Sequence, residues 1–429
     1  MSMSVALFGS LIILIAMGVP IAISLGGAAI IAVVTAGGIS PIVVAQRFFT
    51  GIDSFATMAI PFFMIAGVLM ELGGVSKRLI KLCNIVLGSM PGGLAIVTII
   101  TSAFFGALTG SSPATVAAVG GIMIPTMIKM GYSEEFSLAT SASSGYLGVI
   151  IPPSIAMVTY GVATGASIGT LFIAGFVPGI LIAIAMSVYA LFVGRKSNYI
   201  NRQKYAFKEF LHALWDAVPA LLMPIIILGG IYGGVFTPTE AAAVAILYGL
   251  IVGLFIYKEL PLKEIPTLFK RAGISSAMVM FIIASASAFG YIMNRELIPV
   301  KITNAILSFS GDSAILFLLF ANLLLLVVGT FMETNAAIMI IAPVFLPVLQ
   351  TLGINLVHFG LIMTINLGIG MITPPLGVNL FVASGIRGCK VEKILNRHLV
   401  AYLIISIGML FLFTYVEGLI MFLPNLIGK

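Results

Sequence analysis

The sequence predicts an all-α polytopic membrane protein built as two inverted repeats, each carrying a re-entrant helical hairpin, and three observations predict it. The first is composition. Of 429 residues 60% are hydrophobic and 8% charged, with a mean hydropathy of +1.21, whereas a soluble domain carries about 25% charged residues. Apolar runs of about 18 residues or more, enough to cross a lipid bilayer, recur along the chain. The second is an internal echo: GYLGVIIPPSIAM around Pro152 and Pro153 returns 222 residues later as LGIGMITPPLGVN around Pro374 and Pro375. The same ungapped register pairs Pro125 with Pro347, Gly131 with Gly353, Gly148 with Gly370 and Ala114 with Ala336. A duplication accounts for that many matches. The third is the distribution of basic residues, which depends on how the elements are placed.

Spans near 3–18, 20–37 and 56–74 open the first half. The N-terminus lacks a basic n-region and a small-residue cleavage site, so 3–18 reads as a first span and not as a signal peptide. The stretch 94–128 is apolar but interrupted by GSSPAT. A lipid-exposed break would leave backbone groups unsatisfied, so this one must be buried in protein or line a wet cavity. It reads as a hairpin of two half-length helices that enters and leaves on one face; the alternative is two further full spans. A span over 133–163 is broken at its Pro-Pro pair, and 168–194 follows. The polar stretch 196–215 joins the halves as a basic, partly amphipathic cytoplasmic arm, ending in Trp215, which suits a membrane interface.

The second half repeats the plan with spans near 216–234, 238–257 and 272–293, a hairpin over 314–350 interrupted by METNAA, a broken span over 356–386 and a last span over 398–425. The boundaries are therefore 1–195 for the first repeat, 196–215 for the connecting arm and 216–429 for the second repeat. With both hairpins in place and the N-terminus outside, only Arg47, Arg295, Lys301 and Lys429 of the 21 Lys and Arg lie on the outer face; the other 17 lie inside. Basic residues in short loops concentrate on the cytoplasmic side, so the split favours hairpins over extra spans. It also orients them: the first opens to the cytoplasm, with Lys129 inside, and the second to the outside, with Asp312 there.

Chemistry is expected at the hairpin tips and the Pro-Pro breaks. A helix ending at a tip exposes carbonyls, and the next helix begins with free N–H groups. Carbonyls and hydroxyls form an oxygen cage for a hard cation such as Na⁺, while helix N-termini attract anions. Each Pro-Pro pair removes N–H donors and drives the preceding residue out of helical geometry, freeing carbonyls in mid-membrane. One cation site is expected from Gly110 and Ser111 with Gly145, Gly148 and Ile151, and a second from Gly329, Glu333 and Thr334 with Gly370 and Thr373. The substrate would lie between them, against Ser112, Pro153, Asn335 and Pro375. A single tip of this kind is often no more than a capped kink packed in protein. Two matched tips, each followed by a matched break, favour binding. An ionisable residue at membrane depth is a functional candidate, but the counterpart of Glu333 is Ser111, so a carboxylate is not required at both sites. Glu240 reads instead as structural, because Thr237-Pro238-Thr239-Glu240 has the spacing of a capping box with proline at the first helical position. No Lys or Arg falls between Lys81 and Lys129 or between Lys301 and Arg387. An anion in the core would rely on cations and helix N-termini and not on an arginine clamp.

Other classes find no support. His212, His358 and His398 are scattered, and no HExxH, paired cysteine ligands or phosphate-binding loop occurs; enzyme chemistry and ATP-driven pumping by this chain are not expected. The net charge of +7 sits in short loops and not in an exposed patch, so no nucleic acid is expected. Cys83 and Cys389 are too few for a disulfide framework and read as free thiols.

GSSPAT, GYLGVIIPPSIAM, the Val177-Pro178-Gly179 triplet, Thr237-Pro238-Thr239-Glu240-Ala241 and GIGMITPPLGVN, in that order and over essentially the whole chain, resemble the large membrane subunit of tripartite ATP-independent periplasmic (TRAP) transporters. The resemblance implies Na⁺-coupled uptake of an organic acid by an elevator-type movement, in a bacterial inner membrane with the N-terminus periplasmic. It also implies two partners, a small four-helix membrane subunit and a soluble periplasmic substrate-binding protein. Because the chain begins at the first large-subunit span, the small subunit is expected as a separate chain. Family members carry sialic acid, C4-dicarboxylates, other sugar acids and keto acids; sialic acid is the expectation here. The alternatives are a stand-alone Na⁺/dicarboxylate symporter of similar architecture and a channel, the latter disfavoured because half-helix ion sites suit alternating occlusion better than an open pore.

Overall fold

The structure is a computed structural model describing residues 2–197, 199, 205–311 and 313–428. Arg202, Lys204, Asp312 and Lys429, which enter the charge distribution, lie outside the described residues. Every regular element described is helical. The expected spans appear as Met3–Ala16, Ile21–Ala36, Ala59–Leu72, Ile168–Lys196, Pro238–Ile251 and Ile265–Arg295, with local chemistry at their ends. Thr237 and Glu240 form the capping box: Glu240 accepts from the Thr237 N–H at 2.8 Å and donates its own N–H to the Thr237 hydroxyl at 3.3 Å, with Pro238 at the first helical position.

Several boundaries differ from the sequence reading. The span expected at 216–234 begins earlier, as Phe207–Tyr232, so the end of the connecting arm is the first two turns of a membrane helix. The last span is two helices, Arg397–Tyr415 and Glu417–Ile427, separated at Val416. Three short helices were not expected: Pro41–Ile52, Val75–Leu87 and Ile298–Ser310. Each is too short to cross a bilayer and is polar on one side. In Val75–Leu87 the buried residues Val75, Leu79 and Cys83 recur every fourth position, while Lys77, Arg78 and Lys81 fall on the opposite side. This helix leaves Ala59–Leu72 at 64°, a bend made possible by Gly74 at φ +79°.

The helices sort into two packed groups, each drawing on both halves of the sequence. In one, Ile21–Ala36, Pro41–Ile52 and Ala59–Leu72 pack on Ile265–Arg295, with Met3–Ala16 against Ile21–Ala36, Pro238–Ile251 against Ala59–Leu72 and Phe207–Tyr232 against Pro238–Ile251. In the other, Ile168–Lys196 and Arg397–Tyr415 pack against both broken helices and Ile168–Lys196 also against the first hairpin, while the second hairpin packs on the broken helices and its Asn322 donates to the Thr414 hydroxyl at 2.9 Å. Val75–Leu87 and Ile298–Ser310 are the connectors, each touching a hairpin and the first group. The first connector is pinned to its group by charge. Arg78 pairs with Glu259 at 2.8 Å and Asp216 at 3.3 Å and lies 3.6 Å over the Tyr257 ring, while Lys77 takes the other Glu259 oxygen at 3.0 Å. Burial works against the Glu259 carboxylate, but the hydrogen bonds from Lys77 and Arg78 outweigh it and hold its pKa below the usual value.

The first hairpin runs Gly93–Thr109, turns at Gly110 and Ser111, and returns over 112–129; the second is Ala314–Phe331 and Thr334–Thr351. Their arms exceed the half-length helices expected, yet both tips reach the Ser275–Ile282 stretch, near the middle of the 31-residue helix Ile265–Arg295. A tip at the mid-height of a spanning helix is re-entrant. Lys129 and Thr351, both exposed, occupy equivalent positions at the hairpin bases. In a chain lacking Cys83 and Cys389, cysteines replacing them are expected to react with an impermeant maleimide from opposite sides of the membrane. Labelling of both from one side would rule out the inverted arrangement.

Candidate functional site

The Pro-Pro breaks free particular carbonyls. In an uninterrupted helix the oxygens of Gly148 and Val149 would accept from residues 152 and 153, both prolines without an N–H. The Ser154 hydroxyl replaces the second donor, reaching the Val149 carbonyl at 2.6 Å, which leaves the Gly148 carbonyl as the freed oxygen. The second break follows the same logic. Gly370 and Met371 face Pro374 and Pro375; the Asn379 N–H takes the Met371 carbonyl at 3.0 Å, and Gly370 keeps only a tightened bond from the Thr373 N–H at 3.0 Å. Both Pro-Pro peptides are cis, so the two breaks match in backbone form as well as in sequence.

Each hairpin tip docks against the break of its own half. In the first, Gly110 ends its helix at φ +60°, and its carbonyl accepts from the Ile155 N–H at 3.4 Å. The Gly148 Cα faces the Thr115 hydroxyl and the Ser111 carbonyl so closely that a Cβ there would lie 2.5 and 2.8 Å from them. The Thr115 hydroxyl donates to the Ser111 carbonyl at 2.8 Å and stands 3.3 Å from the Thr109 hydroxyl. These oxygens cluster beside Gly148 as an oxygen-rich corner. Thr109 and Thr115 belong to it, although the sequence reading did not single them out. Gly145 serves packing: a Cβ there would meet Val116 at 2.1 Å. Ile151 adopts extended backbone and ends the helix, with its side chain turned against Gly179.

In the second, Gly329 and Gly370 meet backbone to backbone. The Thr373 hydroxyl donates to the Ile369 carbonyl at 2.8 Å, which leaves its lone pairs available. At the tip the Glu333 carboxylate accepts from the Ala336 N–H at 3.0 Å and from the Asn335 amide at 2.7 Å, capping the returning helix. The Thr334 hydroxyl is buried without a hydrogen-bond partner, which fits an oxygen held for a ligand better than one held for the fold.

The two halves are then cross-tied. The Ser112 hydroxyl donates to Asn379 Oδ1 at 3.0 Å and accepts from Asn379 Nδ2 at 2.8 Å, while the Thr159 hydroxyl donates to Asn335 Oδ1 at 3.0 Å. Each tip thus bonds the far segment of the other half's broken helix. Asn379 and Thr159 were missed from sequence. The only signal is a buried polar residue in an otherwise apolar helix just past a break, and the repeat does not pair them.

Between the tips lies a cavity of about 400 Å³, within the range of small-molecule sites. Ser111, Ser112, Glu333, Thr334 and Asn335 line it on one side. Met64, Ser275, Met278, Val279 and Ile282, from the other helix group, close the opposite wall. Ser112 and Asn335, expected against the substrate, both line this cavity. Pro153 and Pro375 are not among the lining residues: Pro153 is buried with its carbonyl against Gly110 of the first tip, and Pro375 is exposed. None of the lining residues is basic.

Spanning helices, two re-entrant tips and a central cavity shared between two helix groups define a polytopic membrane transporter. The fold is that of solved transporters: the chain superimposes on the Alcanivorax borkumensis YdaH transporter with a TM-score of 0.62 at 16% identity, covering 87% of each chain, and on Neisseria gonorrhoeae MtrF with a TM-score of 0.59 at 15% identity. Residues 8–419 match the family described as tripartite ATP-independent periplasmic transporter, DctM component, and the chain belongs to that family of large TRAP permeases. It is 47% identical over 97% of its length to the isethionate TRAP transporter permease protein DctMQ of Oleidesulfovibrio alaskensis, and spans 65% of that longer protein. It is also 42% identical to the C4-dicarboxylate large permease of Pseudomonas aeruginosa over 90% of each chain, and 37% identical to the sialic acid large permease of Vibrio cholerae over 88% of each.

Proposed function

We propose that this chain couples inward movement of Na⁺ to uptake of a small organic anion in a bacterial inner membrane, with its N-terminus periplasmic. The observation carrying the proposal is the cavity that both hairpin tips share with Ile265–Arg295. Ser111 and Thr334 bring a hydroxyl from each tip to its wall, and cations held where each tip meets its break would offset the charge of an anion that meets no arginine. In an elevator-type movement the hairpin group would slide along the Met64–Met278 wall, carrying cavity and corners together. A soluble periplasmic binding protein would deliver the substrate, and a small membrane subunit, fused or separate, would complete the permease.

For the substrate we favour a two- to four-carbon acid, such as isethionate or a C4-dicarboxylate, over the sialic acid expected from sequence. The identity of 47% to the isethionate permease supports this. So does a lining in which apolar side chains outnumber polar ones, since a polyhydroxylated sugar acid needs a partner for each buried hydroxyl. The test is reconstitution in liposomes with the cognate binding protein and small subunit. Uptake of labelled isethionate or succinate is expected only with an inward Na⁺ gradient and without ATP. Uptake indifferent to Na⁺ would exclude the coupling, and a preference for sialic acid would exclude the small-acid assignment.

A further inference from the structure

A second cavity, of about 510 Å³, lies between the connector Val75–Leu87 and the first turns of Phe207–Tyr232, on the basic face. Lys81, Lys208 and His212 line it, and none of the three has an ion-pair partner among the described residues. The one carboxylate in its wall, Glu209, is turned back on its own backbone, accepting from the Ala206 N–H at 2.8 Å. On the other side the Asn84 amide donates to the Tyr205 hydroxyl at 3.0 Å. The result is a concavity with a net positive lining and neutral donors, unrelated to the central cavity.

An apolar stripe starts beside it. Phe207, Leu211 and Trp215 follow at four-residue intervals and are 77%, 55% and 79% exposed; this spacing puts them on one side of the helix. Leu222 and Ile225, also exposed, continue that side. From Trp215 to Ile225 the helix advances about 15 Å, half the thickness of a bilayer's hydrocarbon core. Tryptophan marks the headgroup level, so the basic concavity sits at headgroup depth and the Trp215–Ile225 part of the stripe at acyl-chain depth in one leaflet.

We propose that Lys81, Lys208 and His212 bind the headgroup phosphate of an anionic phospholipid in the leaflet of the basic face, with its chains lying along the Trp215–Ile225 stripe. Basic pockets between membrane helices on that side are suited to such headgroups. The lipid would bridge the first connector and the first helix group at the point where the chain leaves that group for the moving hairpin.

Native mass spectrometry of the full chain in detergent, titrated with dioleoyl phosphatidylglycerol or dioleoyl phosphatidylcholine, tests this. One phosphatidylglycerol is expected to be retained over phosphatidylcholine, and Lys81→Gln with Lys208→Gln to weaken that retention by roughly 30-fold, about 5-fold per lysine. Lys263→Gln, on the same face but outside the cavity, should leave it unchanged, and thermal melting of each variant confirms that it is folded. Equal retention of both lipids, or unchanged retention in the double variant, overturns the proposal. So does retention of inorganic phosphate from a 10 mM solution where neither lipid is retained, which would assign the site to free phosphate. Protection of Lys81 and Lys208 from acylation by the small membrane subunit in lipid-free detergent would assign it to a protein contact and likewise overturn the proposal.

Discussion

Gly370→Ala is expected to abolish uptake and to lower stability by about 3 kcal/mol, the upper part of the range for overpacking a filled interior. A Cβ at Gly370 would stand 2.3 Å from the Gly329 carbonyl carbon and 2.4 Å from its oxygen. That obstacle is backbone and cannot rotate away, so the hairpin must move off the break and the second oxygen-rich corner opens. Gly148→Ala should be milder. Its Cβ would first meet the Thr115 hydroxyl, at 2.5 Å, and a side chain can yield at the cost of the Thr115–Ser111 hydrogen bond. Gly385→Ala, in the helix after the second break, meets nothing within 4 Å and should leave uptake intact while slightly favouring the helix. Thermal melting and liposome uptake of the three variants together decide the matter. A Gly370→Ala protein with normal uptake would mean that the tip and break need not touch.

Thr373→Ala is expected to raise the Na⁺ concentration for half-maximal uptake about 10- to 150-fold. That range corresponds to losing one hydrogen-bond-like contact to a charge, worth about 1.5–3 kcal/mol. The hydroxyl already donates to the Ile369 carbonyl at 2.8 Å, and its oxygen is what would face a cation. Removing it adds no volume, so folding should survive. Thr237→Ala is the matched control. It breaks the capping box of Pro238–Ile251, should lower stability by about 1 kcal/mol, and should leave the Na⁺ response unchanged, as should Glu240→Ala. If Thr373→Ala responds to Na⁺ as the wild type does and Glu240→Ala does not, the cation site lies elsewhere.

Much of this was legible in the residues because membrane insertion imposes strong local rules. Apolar run length set the spans, and the Thr237–Glu240 spacing set a cap that the structure reproduces. Two polar interruptions marked the tips, and two Pro-Pro pairs marked the carbonyls left without donors. The misses have separate causes. Val75–Leu87 and Ile298–Ser310 are amphipathic and short, so no hydropathy window singles them out; their roles as connectors follow from what they pack against. Pro153 and Pro375 were expected against the substrate, yet neither lines the cavity; a break frees its neighbours' oxygens.

The sequence by itself determined that the chain is a duplicated membrane bundle, and where each half breaks, because periodicity, proline and charge act through neighbours a few residues apart. Only the tertiary structure decided how the breaks are used. Ser112 reaches Asn379 across 267 residues and Thr159 reaches Asn335 across 176, and the far wall of the cavity comes from Met64 and Ser275–Ile282. Such pairings depend on how the two repeats interlock. Interlocking is set by the packing of whole helices, to which no local pattern along the chain corresponds.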